Sequence, residues 1–233
     1  MDRNGNSYTI IYASVMVIVV AALLSAVAMS LEPTQARNRE IEKKQNILAS
    51  VNIESTTKNA EELYAKNIIK SYIVDSNGNV KEGGDAFDID LKKEKAVPVD
   101  KRDLPVFECQ TDKGIKYIFP LLGTGLWGPI WGYISLDDDM NAIYGAFFDD
   151  EGETPGLGAE IATRKFQLQF NGKKLFDNSG KFVSITVAKS NEKAPEEHKV
   201  DAVSGGTITS KGLQKMVHDD FSEYLQFIKK KKS

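Results

Sequence analysis

Apolar residues are distributed unevenly along the chain, and their spacing predicts most of its elements. Residues 8–31 form a run of 24 uncharged residues. A helix of that length reaches about 36 Å, enough to cross the ~30 Å hydrocarbon core of a bilayer. Residues 34–49 are polar and helix-prone, with Ile41 and Leu48 on one side. We therefore predict that the helix continues beyond the apolar run as a stalk.

After the stalk, helical and strand-like spacings follow one another. The pattern predicts a helix over residues 59–70 and a hairpin in which residues 72–75 pair with Val80 and its successors across a turn at 76–79. The charged residues 85–103 are expected to form a surface loop. Strands are predicted over residues 116–122, 131–136, 142–148 and 182–187.

The carboxyl end predicts helices again. Residues 159–170 are helix-prone, and residues 211–228 carry an apolar stripe typical of a helix that covers a core. The stripe consists of Leu213, Met216, Val217, Phe221, Tyr224, Leu225 and Ile228. The predicted fold class is α+β, with one N-terminal transmembrane helix followed by a domain that has a mainly antiparallel sheet and flanking helices.

A signal peptide is the alternative interpretation of the apolar run, because residues 26–28, Ala-Val-Ala, resemble a cleavage site. A retained anchor is favoured, because the run is long for a signal peptide and Arg3 is the only basic residue before it, offset by Asp2. The positive-inside rule, counted on the basic residues that follow the run, would place the C-terminal domain in the cytoplasm. Those residues are Arg37, Arg39, Lys43 and Lys44.

Composition excludes several classes of site. The net charge of −3 gives no global basic signal for nucleic acid. Cys109 is the only cysteine, so neither an internal disulfide nor a multi-cysteine metal site can form. His198 and His218 lack metal-ligand spacing and are expected on the surface or on a helix face, so no metal site is predicted. The lysine run at residues 229–232 is interpreted as a solvated terminus.

Residues 201–210, DAVSGGTITS, carry the most specific pattern in the chain. Gly205 and Gly206 let backbone amides approach a ligand closely, and the start of the helix that follows favours an anion such as phosphate. A simple turn that leads into a capped helix also explains the glycines.

The order of residues in this segment resembles the flavinylation motif of the FMN-binding domain family. That motif runs Asp, two variable residues, Ser or Thr, usually Gly, usually Ala, and an acceptor Thr. Asp201, Ser204, Gly205 and Thr207 match it, and Gly206 stands where Ala is usual. The resemblance implies that Thr207 carries FMN through a phosphoester bond and that a separate flavin transferase supplies the FMN from FAD.

Two other loops are candidates for flavin contacts. Residues 123–132, GTGLWGPIWG, describe a rigid loop with a flat apolar surface, although a tight turn with a core-filling Trp explains them equally well. Residues 153–158, ETPGLG, offer a carboxylate, a hydroxyl and close backbone access, although a simple loop before a helix has the same composition.

Taken in order, the apolar run, GLWGPIWGYI, ETPGLGAEI and SGGTITSKGL resemble one branch of that family, the C subunits of sodium-translocating NADH:quinone oxidoreductases. The resemblance implies covalent FMN and no catalytic residue in this chain, which would relay electrons within a complex that is complete only with its other subunits. The residues implied to surround FMN are Thr207, Asp201, Ser204, Gly205, Gly206, Leu126, Trp127, Gly128, Glu153, Thr154, Gly156, Leu157, Gly158 and Lys211.

The resemblance also implies a place in the cell. It indicates a single-pass protein of the bacterial inner membrane, in contact with lipid and with its soluble domain on the extracytoplasmic side, opposite to the charge count. The implied division is an anchor at residues 1–31, a stalk and N-terminal part at 32–110, and an FMN-binding domain at 111–233. The chain has no glycine-rich dinucleotide fingerprint after a strand and no charge within its span, so NADH binding and sodium conduction are assigned to partner subunits.

Two other functions stay open at this point. The G subunit of the Rnf electron-transport complex shares the anchor and the flavinylated Thr. A membrane-tethered binding module with no redox role is the second alternative, in which Thr207 is never modified.

Overall fold

The computed structural model describes residues 5–189 and 192–232. It divides into two compact units, Met1–Lys43 and Lys44–Ser233. Helix α1, Asn6–Ser50, is long and apolar enough to cross a membrane by its length and composition. The apolar run and the predicted stalk therefore lie in one continuous helix, as predicted. Asp2 and Arg3, which entered the charge count, lie outside the described residues.

A five-stranded antiparallel sheet forms the centre of the second unit, and each strand lies beside the next one along the chain. The prediction of a mainly antiparallel sheet is confirmed. The strands are β1 Ile68–Val74, β2 Leu104–Thr111, β3 Gly114–Thr124, β4 Pro129–Leu136 and β5 Ile143–Asp150.

The last helix, α5, Thr207–Lys232, covers one face of this sheet. The ring of Phe119 on β3 lies 5.3 Å from that of Phe221 and 4.9 Å from that of Tyr224, measured between centroids. The predicted apolar stripe is buried except for Leu225, which is half-buried, and Phe227 is buried with it. Burial of this stripe against the sheet builds the main core.

A second apolar cluster covers the opposite face of the sheet. Ile47 and Val51, at the end of α1, pack there with Phe107, Ile118 and Tyr133. The hydroxyl of Ser135 donates to the carbonyl oxygen of Ser50 over 2.6 Å, which fixes the end of α1 to β4. The central strands are therefore buried on both faces.

Burial on both faces explains why the sequence pattern missed β2. Six consecutive residues from Leu104 to Cys109 are buried, so β2 lacks the alternation that identifies a half-exposed strand. Its partner β1 starts at Ile68. Helix α2, Ala60–Asn67, therefore ends at Asn67, three residues before the predicted end at residue 70. The predicted hairpin forms but is short: Val80 makes a single antiparallel bridge with Val74, and the amide of Lys81 donates to the carbonyl oxygen of Ile73.

Residues 85–103 are not the simple loop that their charge predicts. They contain helix α3, Leu91–Lys95, and two 3-10 turns. Lys95 forms an ion pair with Asp220 on α5, and that carboxylate accepts a 2.7 Å hydrogen bond from the amide of Leu122. The charged side chains of this segment therefore help to pack it against α5.

The remaining elements differ in length from the prediction. The helix-prone residues 159–170 form a 3-10 turn, Gly158–Ala162, then α4, Arg164–Gln167, and a last 3-10 turn. Only the end of the predicted strand 182–187 is a strand, β6, Thr186–Ala188, which pairs in parallel with β7, Lys199–Asp201. Helix α5 starts at Thr207, four residues earlier than predicted.

One prediction about polar residues is wrong. His198 is buried, and its Nδ1 lies 2.7 Å from the carbonyl oxygen of Lys174. The C-terminal lysines are exposed, as predicted, but two of them also contact the domain: Lys231 pairs with the buried Glu108, and the Nζ of Lys232 lies 3.9 Å from the ring centroid of Phe176. The long side chain of lysine lets its ammonium group reach back onto the domain.

Candidate functional site

Three loops meet at the start of α5. We call them the tryptophan loop (residues 125–128, between β3 and β4), the β5 loop (residues 151–157, after β5) and the acceptor loop (residues 202–206, between β7 and α5). A 2.8 Å hydrogen bond from the amide of Gly125 to the carbonyl oxygen of Gly128 closes the tryptophan loop. The sequence predicted all three segments as contacts for one cofactor, and the fold brings them together.

Glu153, in the β5 loop, joins this loop to the tryptophan loop and to the first turn of α5 through one carboxylate. Its Oε1 accepts hydrogen bonds from the amides of Leu126, over 2.7 Å, and Trp127, over 2.9 Å. Its Oε2 accepts a 2.5 Å hydrogen bond from the hydroxyl of Thr209 on α5. The amide of Glu153 in turn donates to Asp150 Oδ1 over 2.7 Å. The side chain that the sequence predicted as a cofactor contact therefore positions the tryptophan loop against α5.

The pKa of Glu153 reflects this arrangement. Burial of the side chain acts to raise the pKa, but the hydrogen bonds from Thr209, Trp127 and Leu126 outweigh burial and hold the pKa below its ordinary value. The carboxylate is ionised at neutral pH, which strengthens each of the hydrogen bonds that it accepts.

Glycines make this close approach possible. A Cβ on Gly158 would lie 2.1 Å from Glu153 Oε2, and a Cβ on Gly125 would lie 2.4 Å from Glu153 Oε1. A Cβ on Gly212 would lie 2.3 Å from the carbonyl oxygen of Thr124. The sequence analysis noted glycines as turn formers, but Gly212 lies within α5 and is needed because β3 passes directly against the helix.

The acceptor loop turns sharply into α5. Gly205 has a φ of +75°, which favours glycine. The first helical hydrogen bond runs from the amide of Ser210 to the carbonyl oxygen of Gly206, and the hydroxyl of Ser210 accepts a 3.1 Å bond from the amide of Val203. Thr207 is therefore the first residue of the helix, where backbone amides lack helical acceptors.

This position suits a phosphate on Thr207. The first turn of α5 contains no acidic residue, and the free amides of a helix N-terminus attract an anion. The side chain of Thr207 is half-buried, and the neighbouring Ser204 and Gly205 are exposed. A phosphoester at this hydroxyl can therefore form without displacing the core.

Four exposed apolar side chains lie on the tryptophan loop, the β5 loop and the first turn of α5. The exposed fraction is 47% for Leu126, 70% for Trp127, 42% for Leu157 and 58% for Ile208. Leu157 lies against the acceptor loop, since a Cβ on Gly205 would come within 2.5 Å of its Cδ2. A flat, partly apolar ring tethered at the start of α5 can cover such side chains, so the site fits a flavin.

The other predicted site residues are placed as follows. Asp201 is exposed at the end of β7, and Thr154 and Gly156 are exposed in the β5 loop. Gly128 ends the tryptophan loop, and Gly206 is buried beside Val203. Lys211, one turn after Thr207, has its Nζ 3.3 Å from the carbonyl oxygen of Val187 and 3.4 Å from Glu192 Oε2.

The sequence analysis did not include Thr209 among the site residues. Its side chain is 1% exposed and forms the bond that ties Glu153 to α5. The sequence offered one signal, a hydroxyl two residues after the predicted acceptor, but the predicted start of the helix at residue 211 placed Thr209 in a loop. Asp150 was also missed, because the sequence does not indicate which backbone amide an aspartate at the end of a strand will bind.

Comparison with known proteins gives consistent matches. The sequence profile of the FMN-binding domain matches residues 125–221. The C subunit of Na(+)-translocating NADH-quinone reductase from Haemophilus ducreyi is 31% identical and aligns with 91% of this chain and 88% of that protein. The protein of the same name from Pasteurella multocida is 32% identical, with 91% and 89% coverage.

Solved structures show the same similarity. The crystal structure of the C subunit of Na(+)-translocating NADH-quinone reductase from Parabacteroides distasonis has a TM-score of 0.79 and 43% identity, and the alignment covers 85% of this chain and 96% of that one. The crystal structure of Shewanella oneidensis NqrC has a TM-score of 0.73 and 27% identity, with 84% and 99% coverage.

Proposed function

The chain belongs to the family formed by the C subunits of Na(+)-translocating NADH-quinone reductases, and from this we propose that it carries FMN covalently on Thr207 and relays electrons within that complex. The observation that carries the proposal is the meeting of three loops at the start of α5, where Thr207 is half-buried at a helix N-terminus. The names of the relatives favour this complex over the Rnf type.

The chemistry of attachment is a phosphoryl transfer. The Oγ of Thr207 forms a bond to the riboflavin-side phosphorus of FAD, and the bond from that phosphorus to the bridging oxygen of the diphosphate breaks. AMP leaves with the bridging oxygen, and the hydroxyl proton passes to a base. A threonine hydroxyl is a weak nucleophile, so we assign the base and the metal to a separate flavin transferase. In this chain, Asp201, Ser204, Gly205 and Gly206 present the acceptor.

The loops and the start of α5 then contribute to FMN binding in different ways. The apolar side chains Leu126, Trp127 and Leu157 cover the ring, and the amides at the start of α5 hold the phosphate. Glu153 keeps the tryptophan loop in place. When bound, FMN supplies electron transfer, and the covalent link keeps it at the site however dilute free FMN is.

We also propose a location and a set of partners. The chain is associated with the membrane through α1, and its soluble unit faces the extracytoplasmic side in contact with other subunits. The division into an anchor at residues 1–31, a part at 32–110 and a flavin domain at 111–233 stays a prediction. Its second boundary lies at the end of β2, which pairs with β3 in the same sheet.

A reporter enzyme fused to the C-terminus and active only outside the cytoplasm tests the orientation.

Flavin fluorescence in a denaturing gel tests the attachment. The chain, expressed with its flavin transferase, should give a fluorescent band whose intact mass exceeds that of the polypeptide by one FMN residue. Thr207→Val should abolish both signals because the acceptor oxygen is gone, and Thr207→Ser should retain them at least in part. A wild-type band that stays dark under these conditions would leave the binding module without a redox role as the better description.

A further inference from the structure

A groove of about 650 Å³ runs along the acceptor loop on the side of α4. It is lined by Asp201 and Ser204 of the modification motif, by Gly156 of the β5 loop, and by Glu160, Lys165 and Gln169 from the segment that follows. Gln169 fixes the edge of the groove, because its Oε1 accepts a 2.9 Å hydrogen bond from the amide of Asp201. The groove therefore begins at the motif and extends beyond it.

The charged side chains of this groove have few partners in the protein. Neither the half-buried carboxylate of Glu160 nor the exposed ammonium group of Lys165 has a hydrogen bond or ion pair with any residue in the described part of the chain. The side chain of Asp201 is 75% exposed, and its one ion-pair partner there, Lys199, lies 3.9 Å away. By contrast, the nearby carboxylate of Glu153 uses both oxygens within the protein.

We propose that this groove is the surface on which the flavin transferase docks while it modifies Thr207, with Glu160 and Lys165 contacting that enzyme in addition to the motif itself. The inference rests on the proposed function, since it requires that Thr207 is modified. Within residues 5–189 and 192–232 no side chain pairs with the charged groups of Glu160 and Lys165, and the groove starts at the residues that precede the acceptor. An enzyme bound there reaches Thr207 without disturbing the core.

Charge distinguishes this occupant from the flavin ring. An isoalloxazine ring is flat and partly apolar, and the exposed apolar side chains that suit it, Leu126, Trp127, Leu157 and Ile208, do not line the groove. The groove has apolar lining of its own, but it adds two carboxylates and an ammonium group to the same surface; its apolar residues are Phe166, Ala202 and Val203. Apolar area bordered by charged groups suits a protein surface that binds and then leaves. Rim charges of this kind act mainly on the rate of association.

Initial rates of flavinylation test the proposal. The full chain is purified in detergent from cells that lack the transferase and is incubated with the purified enzyme, FAD and Mg²⁺, and labelling is followed by flavin fluorescence in gels. We expect Lys165→Glu and Glu160→Lys each to lower kcat/KM at least tenfold, while the final labelling reaches one flavin per chain. Lys165→Arg should restore most of the rate.

Controls separate docking from other effects. Lys58→Glu changes an exposed lysine that also has no partner within residues 5–189 and 192–232 but lies outside the groove, and it should label at the wild-type rate. Because the side chains of Glu160 and Lys165 make no hydrogen bond or ion pair within the described chain, their variants should unfold at the wild-type temperature. A slow variant with a lowered unfolding temperature is repeated as the isosteric Glu160→Gln or Lys165→Met, which should also be slow if docking is the cause.

The outcomes are distinct. Groove variants that label at the wild-type rate overturn the docking proposal alone. Normal labelling combined with a shifted flavin absorption spectrum also overturns it, because the groove would then hold the ring. A wild-type chain that takes no flavin at Thr207 refutes the proposed function itself.

Discussion

The hydroxyl of Thr209 lies 2.5 Å from Oε2 of Glu153, and this hydrogen bond ties the loop after β5 to the first turn of α5. The other oxygen of the same carboxylate holds the amides of Leu126 and Trp127. One buried carboxylate therefore sets the relative position of two loops and the helix that starts with the proposed acceptor. A site organised in this way keeps its shape before any flavin arrives.

The Glu153 carboxylate should stabilise the folded chain measurably. Glu153→Gln replaces an ionised acceptor by an amide with one acceptor oxygen, and we expect the free energy of unfolding to fall by about 1–3 kcal/mol. Thr209→Val should cost about 1 kcal/mol. Urea unfolding followed by tryptophan fluorescence measures both. The double variant should lose less than the sum, because the two side chains share a bond.

The exposed Thr154 provides the control for this cycle. Its side chain forms no hydrogen bond with any other described residue, so Thr154→Val should change the free energy of unfolding by less than about 0.5 kcal/mol. If Glu153→Gln and Thr209→Val prove simply additive, the coupling between them is absent and the positioning role fails.

Gly212 should be intolerant of any side chain. Alanine is favoured over glycine inside a helix by about 1 kcal/mol, but the new Cβ would lie 2.3 Å from the carbonyl oxygen of Thr124. Because backbone cannot move aside cheaply, we expect Gly212→Ala to destabilise the chain by about 1–3 kcal/mol. Gly152→Ala, where nothing lies within 4 Å, should be close to neutral. Equal stability of the two variants would show that β3 does not contact α5 this closely.

Stability should depend on pH through Asp220. Burial raises the pKa of this carboxyl from 3.8 to about 6, despite the opposing effects of Lys95 and the amide of Leu122. Since the folded-state pKa lies above the unfolded one, the folded state binds the proton more tightly between pH 6 and 3.8. Stability from this group therefore increases as pH falls through that window, by up to about 3 kcal/mol.

A comparison with Asp220→Asn isolates this effect. The difference in free energy of unfolding between wild type and Asp220→Asn, measured from pH 8 to pH 4, should shift in favour of wild type as the pH falls. Asp219→Asn is the matched control. Burial acts to raise the pKa of the Asp219 carboxyl, but the hydrogen bonds from Lys215 and His218 outweigh burial and lower the pKa. A pH-independent difference for Asp220→Asn would show that Asp220 has its ordinary pKa.

The last turn of α5 should contribute to stability through Lys231. Its Nζ lies 3.2 Å from Oε1 of the buried Glu108, which also accepts a 2.8 Å hydrogen bond from the hydroxyl of Tyr72. We expect Lys231→Met to cost about 1 kcal/mol at neutral pH, a modest value because the lysine is one-third exposed. Lys58→Met serves as the control and should change little.

The contribution of Lys231 should disappear in acid. Burial acts to raise the pKa of Glu108, but the bonds from Tyr72 and Lys231 outweigh it and hold the pKa below its ordinary value. The ion pair is therefore fully present above the unfolded-state pKa of about 4.5 and is lost as pH falls through the folded-state value. A cost of Lys231→Met that persists below that value would argue against this pair.

Prediction from sequence succeeded where a pattern is local and periodic. The apolar run in α1, the strands β3 to β5 and the stripe of α5 each have a spacing that one element alone explains. It failed for β2, whose residues are buried on both faces, and for the start of α5, where Ser204 and Thr207 are as typical of a loop as of a helix N-terminus. Val80 was predicted to continue as a strand beside β1 because a short turn connects them, but it forms one bridge with Val74 and the long pairing of β1 is with the more distant β2.

The sequence by itself determined the long apolar N-terminal helix, the motif at residues 201–207 and the three segments of the site, because each is encoded in consecutive residues. Only the tertiary structure decided that Glu153 faces inward to bind Thr209 and two loop amides, that Gly212 lets β3 touch α5, and that the side chains of Glu160 and Lys165 are left without partners in the described part of the chain. The physical reason is that these are contacts between residues far apart in the chain. Their geometry depends on how the sheet and α5 pack together, and no local spacing records it.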